Sequence, residues 1–208
     1  MLQYSTIEPL ALDVLKGLMK IQALNDFYLV GGTALTLYFG HRLSENLDLF
    51  STKEFDNESL IKPLEEKFPG FVYRSTHNPI GLFGFIDGIK VDFIKHHHHP
   101  LIEKYVTEDG IRLLSIPDIM AMKIAAIMKR GVKKDFWEIA ELLHHYSVDD
   151  FIRCYTKKYP SQQLLVSVPF ALTYFIDAEE SEDPISLKGQ TWKSVKKFIQ
   201  RQVSDFLK

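Results

Sequence analysis

Two aspartates sit where a carboxylate is costly to keep. Asp48 lies between Leu47 and Leu49, and Asp92 between Val91 and Phe93. A carboxylate set into an apolar strand needs a partner, and a divalent cation bound through oxygen is a common one. Upstream of Asp48 stands Gly31-Gly32-Thr33. A diglycine lets the backbone bend sharply and lets another molecule approach it closely. A helix starting there offers unpaired N–H groups and the positive end of its dipole, which suits phosphate. A phosphate cradle and a metal carboxylate one helix apart make the layout that metal-assisted phosphoryl transfer requires. Asn46 and Asp48, two residues apart, share one face of their strand. If the strand of Asp92 is its neighbour, Asn46, Asp48 and Asp92 form one ligand cluster.

Two other groups invite a chemical reading. Lys123 falls in the middle of an otherwise apolar helical stretch. Turned inward it needs an anionic partner, whereas a lysine that snorkels to solvent does not. His96-His97-His98-His99 has the look of a metal site, but consecutive residues of an extended chain point alternately apart. Without a turn they cannot share one ion, and the expectation is a polar strand end and loop. A metal hydrolase built on this run is the rival that the glycine turn argues against.

The elements that must position these groups follow from periodicity. Phe27–Val30 reads as a buried strand, Leu47–Phe50 as a returning one, and the residues between as a short helix capped by Thr33 and ended by Gly40. Leu10, Val14, Leu18, Ile21 and Leu24 repeat at helical spacing and predict a helix over 8–24, with Ser5 or Thr6 as its cap. A helix over 57–68 is followed by strands at 71–75, 82–86 and 89–94, and Asp87-Gly88 signals a hairpin between the last two. A short strand is expected at 111–114. Adjacent antiparallel strands imply a mixed or antiparallel sheet, not a doubly wound one. From Ser115 the pattern turns helical, with helices over 118–129, 135–146, 149–159, 162–174 and 191–206. The acidic loop 177–183 is expected to be solvated. The expected class is thus α+β: a core at 1–115 with a small mixed or antiparallel sheet flanked by helices, then a C-terminal helical region at 116–208.

Composition sets the outer limits. A chain of 208 residues with 46% hydrophobic content, 15 Phe and 9 Tyr can bury a substantial core. A net charge of −2 gives no global attraction for nucleic acid, so any RNA contact needs a local basic patch. A single cysteine, Cys154, excludes an internal disulfide framework and fits a reducing compartment. Neither a signal peptide nor an apolar run of about 18 residues is visible, so the expectation is a cytoplasmic protein with no membrane contact.

The string GGTALTLYFGHRLSENLDLF, Gly31 to Phe50, resembles the AbiEii-type abortive-infection nucleotidyltransferases, within the DNA polymerase β-like nucleotidyltransferase superfamily. The likeness runs from about residue 24 to about residue 200. It includes a helix carrying Lys123, a following segment with Arg130, Lys134 and Asp135, and the string ALTYFIDAE at 171–179. The resemblance implies a nucleotidyltransferase-like core that moves an NMP from an NTP to a hydroxyl on RNA (tRNA) or protein. It implies a two-metal site for Mg2+, or Mn2+, on Asn46, Asp48 and Asp92. Asp48, Asp92 and Lys123 would be catalytic; Gly31, Gly32, Thr33, Arg42, Ser44, Lys123 and Asp135 would bind nucleotide, with His41 and Ser44 in positioning roles. It also implies the toxin part of a bacterial toxin–antitoxin or phage-defence system, with a cognate antitoxin. One residue departs from the pattern: Asn46 stands where the family typically has a carboxylate. An amide oxygen can coordinate Mg2+ but brings no charge, so the alternative is a catalytically weakened nucleotide-binding or partner-binding module on the same fold.

Overall fold

Phe27-Tyr28-Leu29-Val30 is buried at every position and forms β1, an interior strand of a seven-stranded sheet. The structure, a computed structural model, describes residues 1–162 and 166–208. The other strands are β2 (Leu47–Ser51), β3 (Phe71–Tyr73), β4 (Gly81–Ile86), β5 (Ile89–Lys95), β6 (Val106–Glu108) and β7 (Ile111–Leu113). Their order is β3-β4-β5-β2-β1-β7-β6. β1 pairs antiparallel with β2 and parallel with β7, and β2 pairs parallel with β5, so the sheet is mixed. The helices are α1 (Pro9–Leu18), α2 (Gly31–Phe39), α3 (Glu58–Lys67), α4 (Ile116–Arg130), α5 (Lys133–Leu142), α6 (Val148–Lys158), α7 (Val168–Thr173) and α8 (Trp192–Phe206).

The chain forms two compact units. The first comprises Met1–Tyr38, Ser44–His99 and Lys104–Leu114, and holds the whole sheet. Its core gathers Val14, Leu15 and Leu18 of α1, Leu35 and Leu37 of α2, and Leu47, Leu49, Val91 and Phe93 of the central strands. The Phe27 ring meets Phe93 edge-on, with centroids 5.8 Å apart. Burial alternates along β2: Leu47, Leu49 and Ser51 are covered, while Asp48 and Phe50 face a less enclosed side. That alternation is the period-2 geometry of a strand with one packed face.

The second unit comprises Phe39–Leu43, Pro100–Glu103 and Ser115–Lys208. Ser115 caps α4 by accepting from the Asp118 N–H. Asp118 and Lys158, both fully buried, form an ion pair at 2.7 Å. Asp118 also accepts the Ile102 N–H, and Lys158 donates to the Pro100 carbonyl, which ties in the 100–103 segment. Phe136, Phe175 and Trp192 pack edge to face, and Trp137 stacks on Trp192 at 5.8 Å.

Several boundaries differ from expectation. The first helix ends at Leu18, and Gln22–Leu24 is a separate 3-10 turn. Its cap is Glu8, which accepts the Ala11 N–H, and Leu10 is exposed. Thr33 is not a cap: Gly31 and Gly32 already belong to α2. The helix expected to reach Tyr146 stops at Leu142. Of the helix expected at 162–174, residues 163–165 lie outside the described residues, and α7 covers Val168–Thr173. Strand β6 was not foreseen. The loop 177–183 is mostly exposed, with Glu179 held by Lys196 and Trp192.

Candidate functional site

Asp48 and Asp92 are direct partners across the parallel β2–β5 ladder. Residues registered in this way project from the same face of the sheet. On its other side Asp48 is registered with Val30, the last residue of β1. The next residue, Gly31, has φ +68, and a Cβ there would stand 2.8 Å from Asp48 Oδ2. The left-handed backbone favours glycine here, and any side chain would also push the Asp48 carboxylate aside. α2 thus begins beside Asp48, and the first-turn N–H groups of a helix have no partner within the helix itself.

Thr33 and Ser44 secure the loop that enters β2. Their hydroxyls are 2.7 Å apart, and Thr33 Oγ1 also donates to the Asn46 carbonyl. Asn46 itself lies just before β2, half-buried. Asp92 is buried, with 10% of its side chain exposed; its Oδ2 accepts from Lys90 Nζ and its Oδ1 has no hydrogen-bond partner. An orphaned carboxylate oxygen beside a second carboxylate is a donor set suited to a hard divalent cation. Asp48 and Asp92 are therefore the residues that would hold Mg2+. Among the described residues, no three His, Cys, Asp or Glu side chains gather as a metal-holding group. His96–His99 forms a turn at the end of β5, where His96 packs on Phe50 at 5.2 Å and His97 on His98 at 3.7 Å.

The remaining expected residues lie in the second unit and meet one another there. Lys123 Nζ is 2.9 Å from Asp135 Oδ1 and also pairs with Glu138. Arg42 donates through Nε and Nη2 to the same Glu138, and through Nη1 to the Leu43 carbonyl. Arg42 is held in place by a short antiparallel bridge to Ser186. Burial opposes the charge on Lys123, but Asp135 and Glu138 outweigh it and hold its pKa above the usual lysine range. Burial likewise opposes ionisation of Glu138, and the Lys123 and Arg42 cations overcome it, pulling the carboxyl down to about 2. The inward reading of Lys123, with an anionic partner, is the one the geometry bears out. Arg130 and Lys134 are exposed. His41 is buried with neither ring nitrogen hydrogen-bonded, and burial pushes its pKa down to about 4.

Glu138 was missed in the sequence. It follows Asp135 by three residues, so both face the same side of α5. An acid sharing a face with Asp135 in a helix otherwise rich in apolar residues was the available signal.

A mixed sheet with paired strand acids beside a diglycine helix start is the layout that the resemblance to nucleotidyltransferases leads one to expect. The same fold is seen in JHP933 from Helicobacter pylori, with a TM-score of 0.57 at 17% identity over 95% of this chain and 92% of that one. It is seen again in MenT4, a nucleotidyltransferase toxin from Mycobacterium tuberculosis, with a TM-score of 0.57 at 15% identity over 94% and 83% of the two chains. A protein of Aquifex aeolicus, aq_aa25, is 33% identical over 203 residues, 94% of this chain and 95% of its own length. Residues 13–205 match the nucleotidyl transferase AbiEii toxin family of type IV toxin–antitoxin systems. The chain belongs to that family and is a nucleotidyltransferase. Among the described residues, no helix is long and apolar enough to cross a membrane.

Proposed function

We propose that the chain transfers an NMP from an NTP to a hydroxyl of RNA or protein, with Asp48 and Asp92 holding Mg2+. The observation that supports this reading is the register of Asp48 with Asp92, immediately beside the Gly31 bend. A bound Mg2+ would supply Lewis-acid stabilisation of the phosphate and a lowered pKa for the attacking hydroxyl. The backbone N–H groups at the start of α2 would receive phosphate oxygens, aided by the helix dipole. Thr33 and Ser44 fix the loop carrying Asn46, so they position Asp48 rather than react. The acceptor hydroxyl would attack the α-phosphorus, and pyrophosphate would leave.

We keep Lys123, Arg42 and Asp135 in this reading as a separate assignment to the nucleotide. An ammonium has three donors, and Asp135 and Glu138 take two of those on Lys123, leaving one for an anion. Lys123→Met should then raise KM for the NTP. An unchanged KM makes the lysine purely structural.

Asn46 favours a second reading, a weakened nucleotide-binding module. Both are tested by incubating the protein with each α-phosphate-labelled NTP, Mg2+ or Mn2+, and either total tRNA or cell protein. Label carried to one acceptor class and lost in Asp48→Ala supports transfer, and the labelled class names the acceptor. Saturable NTP binding without transfer, with transfer gained in Asn46→Asp, supports the weakened module.

A further inference from the structure

Lys90 lies two residues before Asp92 on β5, so the two side chains leave the same face of the strand. Its ammonium sits 2.5 Å from Asp92 Oδ2, while Asp92 Oδ1 is buried with no hydrogen-bond partner. One oxygen of this carboxylate is thus covered by a cation that the chain supplies, and the other is left for a ligand. Asn46 adds an amide where a third acid would add charge. Asp48, Asp92 and Lys90 together carry a net charge of −1, enough to attract one dication but poor compensation for two held close together. The Lys90 side chain is 42% exposed, so it reaches the acid from solvent along a flexible stem and is not locked in the core.

We propose that Lys90 serves as the second cation of the acidic pair, so that Asp48 and Asp92 hold a single divalent ion. The inference rests on the reading of Asp48 and Asp92 as metal-holding residues. On that basis Lys90 is a positioning residue: it fixes the Asp92 carboxylate so that Oδ1 is the ligand oxygen, and it neutralises the charge that Oδ2 would offer a second ion.

The test is a titration of the full chain with Mn2+ alone, following the free-ion EPR signal. The wild-type protein is expected to bind one Mn2+ per chain, and Asp48→Asn to lose it. Lys90→Met should bind a second Mn2+ and hold the first about tenfold more tightly, because a repelling charge is gone. Lys90→Arg should keep one. Two ions on the wild-type chain, or one ion held with unchanged affinity in Lys90→Met, overturn the role of Lys90 and leave the acidic pair as a metal site. No Mn2+ bound by either protein overturns the metal site itself.

Discussion

Acid should weaken the fold through His41 in a window that few other groups share. Its imidazole is buried as the neutral form, with Glu138 and Glu141 favouring the charged form and Arg42 and Lys188 opposing it. Burial dominates, and the folded pKa falls to about 4 from the ordinary 6.5. The unfolded chain therefore takes up a proton between these two values and the folded chain does not. The stabilisation is complete above pH 6.5, shrinks as pH falls, and is gone below about 4. At about 1.4 kcal/mol per unit, the full loss is roughly 3 kcal/mol, a large part of a typical domain's stability. Glu138 overlaps only the acid end of this window, since its carboxyl is held down to about 2 and its own contribution starts to be lost as pH falls through 4.5. Urea unfolding of the wild-type protein and His41→Gln at pH 7.5, 6, 5 and 4.5 isolates the effect, because every other histidine is common to both. The wild type should lose stability more steeply, by up to about one proton per chain. Parallel pH profiles, or an imidazole that titrates near 6.5 in the folded state by NMR, would refute the reasoning.

Glu138 is the shared anion of Arg42 and Lys123, so Glu138→Gln should cost about 3 kcal/mol or more in chemical denaturation, the range for breaking a buried pair; a loss under about 0.5 kcal/mol would contradict the burial of that network. Gly31→Ala forces a side chain into a left-handed backbone beside Asp48, and should lower stability by roughly 1–2 kcal/mol. The same substitution should reduce NTP affinity, read by equilibrium dialysis, since the bend would have to shift away from the acid.

Much of this site was legible because its signals are local. Asp48 and Asp92 each stand in a short apolar run, and strand alternation fixes which neighbours share their face. Asp87-Gly88 announced its hairpin, and both residues have positive φ as a tight turn demands. Asp109-Gly110 carries the same signal and the same backbone. The strand before it, Val106–Glu108, is short and largely exposed, without the apolar alternation that marks a strand in sequence. What stayed hidden depends on residues far apart in the chain. Glu138 meets Arg42 across 96 positions and Asp118 meets Lys158 across 40. No periodicity encodes such pairings, and a charged residue in a helix reads as solvated until its partner is known. Lys90 was hidden differently: its neighbour Asp92 was in plain view, but an i, i+2 ion pair on a strand leaves no pattern.

The central claim is that Asp48 and Asp92 act together on the transferred phosphoryl group. The most direct measurement is the single-turnover rate of α-phosphate label transfer by Asp48→Asn and Asp92→Asn, each first shown by circular dichroism to be folded. Both are expected to fall by at least about a thousandfold, roughly 4 kcal/mol of transition-state stabilisation. Either variant keeping its rate within about tenfold of wild type would contradict the account.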